Sequence, residues 1–240
     1  MKPVRIFRHI DCEGPGYFAA VLDHYSIPFE VVRIDAGEPV PGQLDDVSAL
    51  VFMGGSMSVN DDLPWIRQEL SLIQQAAQQG LPMLGHCLGG QLISKGLGGV
   101  IGKNPVKEIG WLPVSKIPGA LSEQWLDGLP DVNLLFHWHG ESFSIPQGAT
   151  AILQSAHCAH QGFVKDNILA LQCHVEMTAE MVSEWVDRYA QELSAASATV
   201  QTPEQILNDL ENRIAGLQAV ADVLYAQWLK RLRNHTGGTS

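Results

Sequence analysis

The chain is poor in basic residues, in cysteine and in long apolar runs. Lysine and arginine number 15 against 26 aspartates and glutamates, a formal net charge of −11. Nucleic-acid binding needs a basic face that displaces counterions from phosphates, so that class of partner is excluded. The four cysteines are Cys12, Cys87, Cys158 and Cys173. In a chain of 240 residues they do not make a disulfide framework, and free thiols are expected. No apolar run reaches the roughly 18 residues of a membrane span, so no membrane partner is expected. The opening MKPVRIFRHIDCEG is too short in its apolar part and too charged for a signal peptide, which makes a cytoplasmic protein the expectation. Internal repeats and low-complexity tracts are missing too.

What is present is 45% hydrophobic content, enough for a substantial core in one large or two small domains. Short runs rich in Val, Ile and Phe alternate with helix-like segments, the mark of a mostly parallel α/β sheet with helices on both faces. Strands are expected at 4–10, 29–34, 48–53 and 82–86, with helices at 16–25, from Leu63 to Gly80 and from Leu88. After Gly99 five strand-like runs follow, at 109–117, 133–139, 141–145, 150–156 and 168–174, predicting an antiparallel extension that returns to the main sheet. Residues 178–193 read as a helix, and after a break near 199–203 a long amphipathic run spans about 204–232. This divides the chain into a sheet-bearing domain, 1–198, and a C-terminal helical extension, 199–240. The extension is expected to pack on the domain or on a second copy, as a homo-oligomer, with a disordered tail RNHTGGTS.

The segment PMLGHCLGGQLI, residues 82–93, sets Cys87 between an expected strand and a double glycine. Gly85, Gly89 and Gly90 keep a tight turn clear of side chains and let backbone N–H groups approach a bound oxygen. A helix starting near Leu88 aims its N-terminal dipole at the sulfur and favours thiolate. Free cysteine is also buried for packing alone, and on these features both readings stand. Of the nine histidines, His174 ends the last strand-like run, at the sheet edge where active sites collect. Glu176, two residues on, reaches the same side and can hold the imidazole in the tautomer that accepts a thiol proton. A surface His–Glu pair has the same spacing.

GHCLGGQ at 85–91 with LQCHVEMT at 171–178 resembles the class I glutamine amidotransferases, whose nucleophile elbow reads G-x-C-x-G and whose base and acid are spaced H-x-E. MGGSMSVND (53–61), KEIGW (107–111) and FHWHGESF (136–143) resemble the landmarks of the stand-alone branch similar to the amidotransferase domain of GMP synthase. The likeness runs from about residue 45 to 178. It implies a flavodoxin-like open sheet in residues 1–198, with Cys87 as nucleophile, His174 as general base and acid, and Glu176 as orienting carboxylate. It further implies Gly55 and Leu88 as the oxyanion hole and Gln91 as a position lining the substrate pocket, where a mid-helix glutamine can equally cap a neighbouring loop. Gly54, His139 and Glu141 are further substrate-binding candidates, with plain surface charge the alternative for Glu141. The implied activity is hydrolysis of the glutamine side-chain amide through a γ-glutamyl thioester, without metal or organic cofactor. The ammonia would pass to a synthetase partner chain, or the chain would work alone. The alternatives are a γ-glutamyl peptide hydrolase with the same triad and an idle regulatory subunit.

Ser56, His86 and Cys173 depart from the common family pattern, and His86 leaves the environment of the Cys87 thiol open. His137, His139, His157, Cys158 and His160 raise a metal site, since strand alternation puts His137 and His139 on one face. Paired CxxC or HExxH spacing is lacking, so polar residues edging a pocket are expected there instead.

Overall fold

The computed structural model describes residues 1–237. The chain runs β1 (Val4–Arg8), α1 (Gly16–His24), β2 (Phe29–Arg33), β3 (Ala49–Phe52), α2 (Pro64–Gln78), β4 (Met83–His86) and α3 (Leu88–Gly96). It continues β5 (Ile101–Lys116), α4 (Ala120–Trp125), β6 (Val132–Phe143), β7 (Thr150–Ser155), β8 (Gly162–Lys165) and β9 (Ile168–Leu171). The helices α5 (Ala179–Arg188), α6 (Pro203–Leu207) and α7 (Leu210–Gly237) follow.

One sheet of nine strands has the order β2-β1-β3-β4-β9-β8-β7-β5-β6. The first five are mutually parallel, and β8, β7, β5 and β6 are joined antiparallel. β3 and β9 are buried apolar runs, as strands covered on both faces must be. Alternation along β1 sends Val4 and Ile6 into a core with α1, α5 and α7, and Phe7 into a second core with α2 and α3. The α/β class with an antiparallel extension is as the sequence predicts.

Several boundaries differ. The runs at 133–139 and 141–145 are one strand, β6, because the irregularity opposite Gly140 falls on β5, whose register shifts between Lys103 and Glu108. The 109–117 run is the second half of β5, and β8, only four residues long, carries too little pattern to stand out. The helix from 178 ends at Arg188, and Ala190–Ser194 forms a 3₁₀ turn. The 204–232 run breaks where Asn208 is extended and Asp209 takes φ 55°. Much of RNHTGGTS is helical, since α7 continues to Gly237, and residues 238–240 lie outside the described residues.

α7 lies on the face of this chain's own sheet, where Leu217, Leu224 and Trp228 join the core that contains Val4 and Ile6. Ahead of it, residues 199–201 lie along β5, with Ile109 N–H donating to Thr199 O at 2.8 Å and Gln201 N–H to Ile109 O at 3.0 Å. Among the described residues no helix is long and apolar enough to cross a membrane.

Candidate active site

Three parallel strands, β3, β4 and β9, bring their carboxyl ends together, the edge at which open α/β sheets bind ligands. β4 runs into Cys87 at φ 49° and ψ −108°, a conformation that costs a non-glycine residue about 1–3 kcal/mol. The turn is held because its neighbours are glycine. A Cβ on Gly89 would collide with the Phe52 carbonyl, and one on Gly90 would lie 2.5 Å from Leu171 O. The Cys87 N–H donates to Leu171 O at 2.8 Å, tying the elbow to β9.

Beyond β9, Gln172, His174 and Glu176 point to one side, as a period of two requires. His174 Nδ1 lies 2.7 Å from Glu176 Oε1, and Glu176 Oε2 accepts from Val175 N–H at 2.9 Å. Both side chains are buried. His174 is further held edge-on by Trp185, ring centres 4.9 Å apart, and its backbone N–H donates to Phe136 O at 2.9 Å. Burial opposes a charge on His174, but the Glu176 carboxylate and the Cys87 thiol outweigh it and hold the imidazole well above its ordinary pKa. Its Nε2 is buried without a hydrogen bond. Burial also opposes ionisation of Glu176, yet His86 and His174 draw it down to about 2. Burial lowers the His86 pKa, opposed by the Glu176 carboxylate and reinforced by His174.

The His86 ring lies against α7: its Nε2 is 3.0 Å from the Tyr225 hydroxyl and 3.8 Å from Glu176 Oε2.

A cavity of about 250 Å³ opens over the sulfur. Cys87, Gly55, Gln91, His139 and Glu141, five of the positions singled out in the sequence, line it. Gly55 packs against Leu88, whose Cδ2 would lie 2.7 Å from a Cβ there. Neither the Gly55 nor the Leu88 backbone N–H has an acceptor among the described residues. Gln91 donates to Gln172 Oε1 at 3.1 Å and to Glu141 O at 3.3 Å, and Gln172 Nε2 donates to Cys87 Sγ at 3.5 Å. Glu141 accepts from Ser58 Oγ at 2.8 Å. Gly54 stands behind the wall rather than in it, with Glu13 and His174 filling the space a side chain would take. Sequence reasoning missed Gln172, Glu13, Trp138 and Tyr189. Of these only Gln172 carried a signal, sharing the strand phase of His174.

The metal-type residues divide differently from their sequence grouping. Glu108, not His157, Cys158 or His160, joins His137 and His139, with donor atoms within 4.8 Å of one another and all three residues buried. The Glu108 oxygens already accept from Ser155 Oγ at 2.7 Å and Gln161 Nε2 at 2.8 Å, and His139 Nε2 lies 3.1 Å away. His160 instead meets Phe143 O at 2.9 Å, and Cys158 meets Ser142 Oγ at 3.2 Å. Glu108 and His139 are thus hydrogen-bonded beneath the cavity wall, whereas both ring nitrogens of His137 are buried without a hydrogen-bond partner.

A buried thiol at an elbow, an imidazole backed by a carboxylate, and two unused N–H groups beside a cavity are the parts of an acyl-transfer site. Residues 17–186 match the sequence model of the family Glutamine amidotransferase class-I, and the chain belongs to that family. Among its relatives, the glutamine amidotransferase-like protein YfeJ of Salmonella typhimurium is 32% identical over 194 residues, covering 78% of this chain and 81% of that one. A glutamine-hydrolysing GMP synthase component from Sulfurisphaera tokodaii is 33% identical over 67% of this chain and 87% of its own. Gamma-glutamyl peptidase 4 of Arabidopsis thaliana is 25% identical over 71% and 70%. The crystal structure of a glutamine amidotransferase from Methylobacillus flagellatus superposes with a TM-score of 0.93 at 44% identity, covering 96% of this chain and 95% of that one.

Proposed function

We propose that the chain hydrolyses the side-chain amide of glutamine through a Cys87–His174–Glu176 triad. The observation that carries this reading is the cavity that Cys87 and Gly55 both line, together with a His174–Glu176 pair 2.7 Å apart whose imidazole pKa is raised, against burial, by Glu176 and by Cys87. His174 takes the thiol proton, and the thiolate adds to the amide carbon. The N–H groups of Gly55 and Leu88 stabilise the oxyanion, each by roughly 3 kcal/mol. As the C–N bond breaks, His174 returns the proton to the departing nitrogen, leaving a γ-glutamyl thioester. Water, deprotonated by His174, then cleaves the C–S bond, releasing glutamate and restoring the thiol. Gln91 and Glu141 line the substrate's side of the cavity and hold it by hydrogen bonds.

A synthetase partner chain that takes the ammonia belongs to the same proposal, and the relative named as one component of a glutamine-hydrolysing synthase supports it. Four buried, unpaired cysteines favour a reducing compartment, the cytoplasm. The peptidase relative supports γ-glutamyl peptide hydrolysis as a second reading, since both substrates present the same acyl group. Ammonia and glutamate release from glutamine, compared between wild type and Cys87→Ser, tests the first reading. The variant should be folded and inactive, and equal turnover would require another nucleophile.

A further inference from the structure

Glu13 lies in the loop between β1 and α1. Its N–H closes a turn onto Ile10 O at 3.1 Å, and the loop is pinned to the triad where Tyr17 N–H donates to Glu176 O at 2.8 Å. Gly16, at φ 47°, lets the loop come this close, since a Cβ would strike that same carbonyl. Glu13 is 6% exposed, and it is part of the wall of the cavity that holds Cys87. Among the described residues, no hydrogen-bond donor or ion-pairing cation reaches its carboxylate. A Cβ built on Gly54 would run into Glu13 Oε2 and lie 3.2 Å from His174 Cε1, so carboxylate and imidazole edge meet over one glycine. A buried carboxylate without a donor is costly unless an occupant of the cavity supplies one.

Resting on the hydrolase reading, the position has a consequence for substrate choice. The departing nitrogen is protonated from His174 Nε2, and Cε1 is the ring atom beside it. Glu13 therefore borders the space into which the leaving group departs. We propose that Glu13 determines specificity on the leaving-group side, accepting a hydrogen bond from the departing nitrogen and turning away γ-glutamyl substrates whose leaving group carries a carboxylate beside that nitrogen. Glutamine releases ammonia, which bears no anion. A γ-glutamyl amino acid releases an amine with a carboxylate two bonds away, and like charges at such range in a partly buried site cost at least about tenfold.

The charge on Glu13 is itself adjustable. Burial pushes its pKa up to about 7, opposed by His174, reinforced by Glu176, and opposed again by His9 and Arg188. Cys12 and Tyr189 are the other ionisable groups beside it, and Cys87, Lys107, His139, Glu141 and Glu192 share the cavity wall, with Lys107 ion-paired to Glu192. Discrimination against an anionic leaving group should grow as pH rises through that value.

The test compares kcat/KM of the whole chain, wild type and Glu13→Gln, on glutamine, γ-glutamylglycine and γ-glutamylglycinamide. The last two differ in charge and hardly in size. Assays run at about pH 6 and about pH 8, either side of the carboxyl's titration. The wild type should prefer the glycinamide over the glycine substrate by about tenfold or more at the higher pH and less at the lower. Glu13→Gln should bring the ratio near one at both. An unchanged ratio in a folded variant overturns the proposal. So does a wild type whose ratio does not move with pH, which decides the matter even if the variant misfolds, or one that cleaves glutamine and neither longer substrate. A wild type that cleaves none of the three, with Cys87 unreactive, removes the hydrolase reading and this inference together.

Discussion

The Glu176 carboxylate bonds His174 Nδ1 at 2.7 Å through one oxygen and the Val175 N–H at 2.9 Å through the other. That bond fixes the tautomer that leaves Nε2 free toward the thiol. Glu176→Gln keeps the shape and removes the charge, so the His174 pKa should fall. Turnover should drop by roughly a hundredfold or more. A pH–rate profile unchanged in both height and position would contradict this role.

The same pair makes stability depend on pH. Glu176 is held near 2 against an ordinary 4.5, so its contribution is present above the unfolded value and is lost as pH falls toward 2. That is roughly 3 kcal/mol for a fully buried group. His174 has the opposite sign: its pKa is raised, so its share is complete below about 6.5 and fades as pH climbs through the folded value. Denaturant unfolding of the wild type between about pH 5 and pH 2 should lose stability more steeply than that of Glu176→Gln. Parallel curves would show that the carboxylate is not held as described.

Tyr225 links α7 to the triad. Removing its hydroxyl in Tyr225→Phe leaves a buried His86 with neither ring nitrogen bonded, since Nδ1 already lacks a partner. Urea unfolding should show a loss of about 1–2 kcal/mol. Turnover should fall modestly, because His86 borders Glu176. A variant as stable and active as wild type would mean that the contact has no energetic weight.

The elbow depends on Gly89 being bare. In Gly89→Ala the added methyl meets the Phe52 carbonyl, and the strand-to-helix turn must move. A cost of about 3 kcal/mol is expected, with loss of thiol reactivity toward glutamine analogues. Full reactivity at wild-type stability would show that the turn has slack.

The strand-to-helix turn at Cys87 and the pairing of His174 with Glu176 were legible in the sequence because each belongs to a local pattern: glycine spacing around a strand end, and a period of two beyond the next. Glu13 and Tyr225 were not, because their place at the site is set by the β1–α1 loop and by a helix 139 residues distant from His86. The parallel core strands read correctly from their apolar runs. β6 was divided at Gly140, because the glycine reads as a break when the irregularity on its partner strand is unseen. The tail looked disordered by composition, yet α7 runs on from the buried Leu229 and Leu232 as far as Gly237.

The central claim is that the Cys87 thiol is the nucleophile that a γ-glutamyl group meets in the cavity. Its most direct measurement is treatment of the whole chain with a γ-glutamyl diazoketone analogue of glutamine, followed by peptide mass mapping. A single adduct on Cys87, absent after preincubation with glutamine, is the predicted result. An unmodified Cys87 beside a labelled control enzyme, or an adduct on Cys12, Cys158 or Cys173 instead, would contradict it.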